Sequence, residues 1–336
     1  MQLILYKINR IFWYGFISLL FTILFSLFDY DITQLSFIVW AFGFGVVLGV
    51  FEELIVGNWF RKLSTPLQII TRLLVINILV IGILIASAFI SMSYTELNEI
   101  SFSAYIMGSD YFRLIYETII ISMMIIFYFQ TESLIGRKMF SKYLLGKYSV
   151  PIEEDRIFMF VDLKDSTTIA EQISHIEFYN LLNDCFYEMS EPALKTNAEI
   201  LKYIGDEVIF TWSMKDGLKN NNCIELFLLI QKNIDKKADY FKKTYGIIPE
   251  FKAGVHGGKC TCAQIGHIKK GIDYSGDVVN SAARIQSVCG QYDSNFLASE
   301  HLFNALESTS EYNIEKITNI GLKGKQTTLN LINIQK

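Results

Sequence analysis

Hydrophobic and polar positions follow two different rhythms along this chain. Through about residue 130 the apolar stretches are long and separated by short polar loops. They run roughly 11–28, 34–56, 67–92 and 111–130. Each is close to the ~20 residues that a helix needs to cross a bilayer. From Arg156 the rhythm shortens. "IFMFVDL" is a continuous apolar run of strand length. A helical stripe follows, with Ile169, Ile173, Ile176, Leu182, Phe186 and Met189 on one side. "AEILKYI" and "DEVIFTW" read as two strands joined at Gly205. A helix over about 222–245 precedes a strand at "EFKAGVHGG".

This β-α-β-β-α-β order is the ferredoxin-like motif. Beyond it the pattern predicts a strand near 261–266, a helix near 277–288 and a strand at "NFLAS". A short helix and a hairpin around "GLKGKQTT" close the chain. The expected fold class is therefore a multi-pass α-helical membrane domain followed by an α+β ferredoxin-like domain. The expected boundaries are 1–130 for four spans, 131–154 for a cytosolic connector and 155–336 for the second domain. In the connector Ile135, Met139 and Tyr143 fall at helical spacing, and Gly146 and Pro151 end the helix.

Composition sharpens this division. Of 336 residues, 51% are hydrophobic and only 19% charged, and the excess lies in the first half. The first stretch is too long for the core of a signal peptide, and no small-residue cleavage site follows it. Lys7, Arg10, Arg61, Lys62, Arg137, Lys138, Lys142 and Lys147 fall in the loops on one side of the four spans. The other loops carry Asp29, Asp31, Glu96, Glu99 and Asp110 and no Lys or Arg. The positive-inside rule then sets both termini, and the second domain, in the cytoplasm at the cell membrane. Arg113 runs against the rule, and Glu117 one turn on is its natural partner or else a sensing site. Glu52 and Glu53 are expected to face Arg61 and Lys62. A net charge of −4 gives no field for nucleic acid. All five cysteines, Cys185, Cys223, Cys260, Cys262 and Cys289, lie in the second half without disulfide spacing, as in a reduced compartment. Cys260-x-Cys262 lacks the second pair that a zinc site needs.

The candidate chemistry is carried by acids. "YIGDEVIF" sets Asp206 at a turn between apolar strands, where an unpaired carboxylate is costly. Strand 1 ends in "FVDLKDST", with Asp162 at its carboxyl end. With strand 1 flanked by the two strands of the hairpin, Asp162 and Asp206 approach at one end of the sheet. Two close carboxylates repel, and a divalent cation relieves them. Hard oxygen donors favour Mg²⁺ or Mn²⁺. The chain then enters a helix at Asp165, Ser166 and Thr167, whose free N–H groups suit phosphate. Ordinary capping by Asp165 or Ser166 is compatible with that role. Metal and phosphate together point to a nucleoside triphosphate.

Several ordered pieces carry a resemblance: "FMFVDLKDST", "KYIGDEV", "GIDYSGDVVNSAARI" and "GLKGK". Through them, residues 155–334 resemble the catalytic domain of class III nucleotidyl cyclases. The resemblance implies that Asp162, Asp206 and the Leu163 carbonyl bind two divalent ions. It implies attack of the ribose 3′-hydroxyl on the α-phosphate, with release of pyrophosphate. The purine-selecting pair falls on Lys202 and Asp273, a donor and an acceptor that suit adenine. Asn280 falls on the ribose, Arg284 on the transition-state phosphate, and Lys323 on the terminal phosphates, with Lys325 close by. The implied protein is an adenylyl cyclase, a phosphorus–oxygen lyase making cyclic AMP from ATP, with its sites shared in a homodimer. A guanylyl or diguanylate cyclase is the rival enzyme, although "YIGDEVIF" lacks a double glycine. A membrane receptor with an inactive nucleotide-binding domain is the rival of another class. Asp165 and Ser166 depart from the Gly and Phe or Ser of many relatives. The signal that the membrane domain would receive is not written in the sequence.

Overall fold

The computed structural model describes residues 2–26, 35–55, 63–94, 109–321 and 328–335. They divide into two compact units, Met1–Ile135 and Gly136–Lys336.

The first unit is helical. Helix α1 spans Gln2–Ser26, α2 Leu35–Val50, α3 Thr65–Tyr94 and α4 Ser109–Ile135. A π-helical turn, Phe51–Ile55, continues α2. Tyr14, Ile17, Leu48, Ile76, Ile121, Ile125, Ile126 and Phe129 form its core. Gly45 lets α2 lie directly on α1, since a Cβ there would strike the Tyr14 carbonyl. Among the described residues, two helices are apolar and long enough to cross a membrane, Ile4–Leu24 and Ile115–Ile135. The acids at the end of α2 have partners on neighbouring helices. Glu53 meets Arg10 at 3.0 Å and Glu52 meets Arg72 at 2.6 Å. These pairs join neighbouring helices, because charge within a packed bundle requires a close counter-charge. Arg61, Lys62 and the side chain of Arg113 lie outside the described residues.

In the second unit, helix α5 spans Arg137–Leu144 and strand β1 spans Ile152–Leu163. The expected connector helix is interrupted, since Gly136 adopts φ +89° between α4 and α5. After β1 come α6 (Ser166–Gln172), α7 (His175–Lys195), β2 (Glu199–Ile204) and β3 (Glu207–Ser213). Next are α8 (Asn222–Lys236), α9 (Ala238–Tyr245), β4 (Phe251–Ile265), β5 (Gly271–Ser275) and α10 (Asp277–Ser287). The chain closes with β6 (Phe296–Ser299), β7 (Asn313–Ile320) and β8 (Leu329–Gln335). The strands form one sheet in the order β2-β3-β1-β4-β6-β8-β7, with β5 paired to β4.

The ferredoxin-like core is present, with one correction. β1 lies between β3 and β4, so only one strand of the hairpin touches it. Side chains of β1 alternate between two buried faces, as the two-residue period requires. Ile157, Met159 and Val161 pack under α7 and α8, whereas Phe158 and Phe160 pack with Val278 and Ala282 of α10. The long helical stripe is cut in two by Ser174, whose side chain forms a capping box with Glu177. Ile176 is consequently 75% exposed, not part of the stripe. The helix over 222–245 is likewise two helices, and the strand near 261–266 is the end of β4.

Candidate active site

The carboxyl end of β1 gathers the acids. Asp162 stands opposite Glu207 of β3 on one side and Lys252 of β4 on the other. Gly205, at φ +62°, turns the hairpin so that Asp206 lies next to Glu207. Lys252 Nζ is 3.0 Å from Asp162 Oδ2. Gln286 Nε2, from α10, donates to the same oxygen at 2.9 Å. One lysine thus faces three acids. Burial raises the pKa of Asp162, Lys252 opposes the rise, and the charge of Asp206 adds to it. Glu207 is pushed up to about 7 by burial and by the charges of Asp162 and Asp206.

This excess of negative charge fits a divalent cation. The donors are hard carboxylate oxygens, and the Leu163 carbonyl is the next along the chain. All five cysteines are buried and free. Among the described residues no three His, Cys, Asp or Glu form a metal set. Asp162 and Asp206 would therefore hold the ion together with oxygens from a ligand, the usual manner for Mg²⁺ on phosphates. Asp165 adopts the left-handed conformation, φ 52°, at the start of α6 and makes no side-chain cap. Asp is among the few non-glycine residues that tolerate this backbone. Ser166 is half-buried and Thr167 exposed at the first turn of α6.

A second cluster forms at the other strands. Lys202 of β2 meets Asp273 of β5 at 2.6 Å. Tyr274, the next residue, stacks over the buried guanidinium of Arg156 at 4.8 Å. Arg156 in turn pairs with Glu154 at 3.1 Å and Glu199 at 3.2 Å, which ties β5 to β1 and β2. On α10, Asn280 is exposed and Arg284 half-buried. Neither side chain has a hydrogen bond or ion pair among the described residues. Lys323 and Lys325 lie outside the described residues.

Sequence reasoning named Asp162, Asp206, Lys202 and Asp273, and the structure brings each pair to one place. It missed Lys252, Glu207 and Gln286. The register of β1 could have given the first two, because both stand directly opposite Asp162.

The family model described as adenylate and guanylate cyclase catalytic domain matches residues 151–333. Adenylate cyclase 2 of Rhizobium meliloti (strain 1021) is 31% identical over 210 residues, 62% of this chain and 58% of that protein. Adenylate cyclase of Anabaena cylindrica is 27% identical over 53% of this chain and 36% of its own length. This chain thus spans less than two thirds of either relative. A solved bacterial light-regulated adenylyl cyclase superposes with TM-score 0.50 at 18% identity, covering 61% of this chain and 62% of that one. That likeness speaks for the fold alone.

Proposed function

This chain belongs to the adenylate and guanylate cyclase catalytic-domain family, and we propose that it converts ATP to 3′,5′-cyclic AMP and pyrophosphate. The observation that carries the choice of ATP is the Lys202–Asp273 pair, held at 2.6 Å on β2 and β5. A lysine donor beside a carboxylate acceptor matches the ring nitrogen and exocyclic amine of adenine. Guanine presents the opposite arrangement at those positions and would meet like against like.

Asp162, Asp206 and the Leu163 carbonyl would hold two divalent ions, Mg²⁺ or Mn²⁺. When bound, these ions acidify the ribose 3′-hydroxyl and neutralise the triphosphate. Lys252, 3.0 Å from Asp162, offers a positive charge beside the place that the phosphates would take. The first turn of α6, at Asp165, Ser166 and Thr167, presents backbone N–H groups to the phosphates. Asn280 orients the ribose. Arg284 offers a planar guanidinium to the charge that develops on the α-phosphate. Lys323 meets the terminal phosphates.

Asn280 is exposed and Arg284 half-buried on α10, which suits a site completed by a second copy. A two-fold homodimer supplies the acids from one copy and the base pair, Asn280 and Arg284 from the other. The first unit anchors this dimer by four spans in the cell membrane, with both termini and the catalytic domain cytoplasmic. Helices Ile4–Leu24 and Ile115–Ile135 support that anchoring. The lipid bilayer is its surround, and a membrane or extracellular signal is its input.

Incubating the purified full chain with ATP or GTP and Mn²⁺, then identifying the nucleotide formed, tests the proposal. Cyclic AMP from ATP is expected. Cyclic GMP alone would move the chain to the guanylyl class, and no cyclic product from folded protein would leave an inactive receptor domain.

A further inference from the structure

Helix α10 has an outer and an inner side. The outer side carries Asn280 and Arg284. The inner side packs Val278, Ala282 and Ile285 against the sheet, and with them Gln286, which is 5% exposed. A buried primary amide must find partners. The partner here is Asp162, 124 residues away in sequence, which accepts from Gln286 Nε2 at 2.9 Å.

This contact depends on how closely α10 lies on β4. A Cβ at Gly254 would collide with the Gln286 backbone nitrogen, and would come within 2.6 Å of Gln286 Cα and 2.8 Å of the Ala282 carbonyl. Glycine at 254 therefore lets the helix backbone rest on the strand. From that height the Gln286 side chain spans to the end of β1. The two donors to Asp162 differ in kind. Lys252 has a long flexible stem with 28% of its side chain exposed, and can leave. Gln286 is packed on all sides and cannot. Its neutral amide also adds no positive charge that would compete with a cation.

We propose that Gln286 is a positioning residue for Asp162. It fixes the carboxylate through Oδ2, so that the other oxygen is presented toward Asp206 for a divalent ion. The proposal rests on the cyclase reading above. Under that reading one helix serves two sites, its outer side reaching the partner's nucleotide and its inner side holding its own metal acid.

The test uses the full chain in detergent with 3′-deoxy-ATP, which lacks the attacking hydroxyl. Free Mn²⁺ is followed by electron paramagnetic resonance. Gln286→Met keeps length and removes the donor. It should weaken Mn²⁺ half-saturation about 10-fold, the size typical when a partner of a metal ligand is lost. Affinity for 3′-deoxy-ATP at saturating Mn²⁺, and the thermal unfolding midpoint, should stay near those of the parent. A purely structural role would move the last two and leave the first alone. Gln286→Leu is the second variant, in case one apolar side chain packs poorly. Unchanged Mn²⁺ half-saturation in a folded variant overturns the proposal, and so does loss of fold in both. If the parent chain itself binds no Mn²⁺ with 3′-deoxy-ATP and forms no cyclic nucleotide, the cyclase reading falls, and this inference with it.

Discussion

The two units treat their acids in opposite ways. In the helical unit Glu53 lies close to Arg10 and Glu52 to Arg72, and Glu132 also acts on Arg10. In the sheet unit Asp162, Asp206 and Glu207 share one lysine, Lys252. The first arrangement ties helices together. The second is short of positive charge, which costs stability unless something else supplies it. Under the proposed function, the acids short of counter-charge are those that would hold the ions. The same contrast appears among the cations. Arg156 is buried between Glu154 and Glu199, whereas Arg284 has no acid partner among the described residues.

The strongest way to break this contrast is to remove one acid from each unit. Asp162→Ala should abolish cyclic AMP formation while the chain stays folded, because the ion loses a ligand. Glu53→Ala should keep the product and the metal requirement but lower thermal stability, because Arg10 is left without its partner. Loss of product specificity on Glu53→Ala would show that the helical unit takes part in the chemistry.

Arg284→Ala comes next, with a fall of about 10²–10³ in rate, the usual worth of one donor to transition-state charge. Co-expressed with Asp162→Ala it should recover activity. Random pairing makes half of the dimers mixed, each with one intact site, so roughly a quarter of parental activity is expected. Mixed dimers that are captured together and remain inactive would refute a site shared between copies.

How much of this was legible depends on what carries the information. The approach of Asp162 and Asp206 is readable because each stands at a fixed offset within a short motif, and the structure brings the two together. Lys252, Glu207 and Gln286 are not, because they meet Asp162 only through strand register and helix docking. The sheet core followed from the continuous apolar run of β1, which is buried on both faces. The helix through Ile176 failed because the capping box at Ser174 restarts the chain in a new direction. The four apolar stretches each fell on a helix, but the partners of Glu52 and Glu53 are Arg72 and Arg10, which lie within helices, and follow from helix packing.

A smaller effect sharpens the base assignment. Lys202→Glu with Asp273→Ser removes both partners of adenine and should lower ATP turnover by about 10²-fold. The steady-state kinetics of both purine triphosphates measure it, and unchanged ATP kinetics would remove the pair from the site.

The smallest effect is in pH. Glu207 is raised to about 7, so the folded chain holds this proton more tightly than the unfolded chain. The resulting stability is complete below the ordinary carboxylate range and is lost as pH rises through about 7. Asp162 shifts in the same direction. In EDTA, thermal unfolding should therefore occur at lower temperature near pH 8 than near pH 5, by this contribution. Glu207→Gln should flatten the slope. A slope unchanged by that substitution would mean that the acids at the end of β1 are not short of counter-charge.

The central claim is that the second unit alone performs the chemistry, and a fragment beginning at Gly136 tests it most directly. The cut keeps Phe140 and Tyr148, which are 6% and 2% exposed in the chain. Supplied with ATP and Mn²⁺ at high concentration, the purified fragment should form cyclic AMP, more slowly than the full chain and only with metal. A fragment that is folded and dimeric yet forms no cyclic AMP, beside an active full chain, would contradict the account.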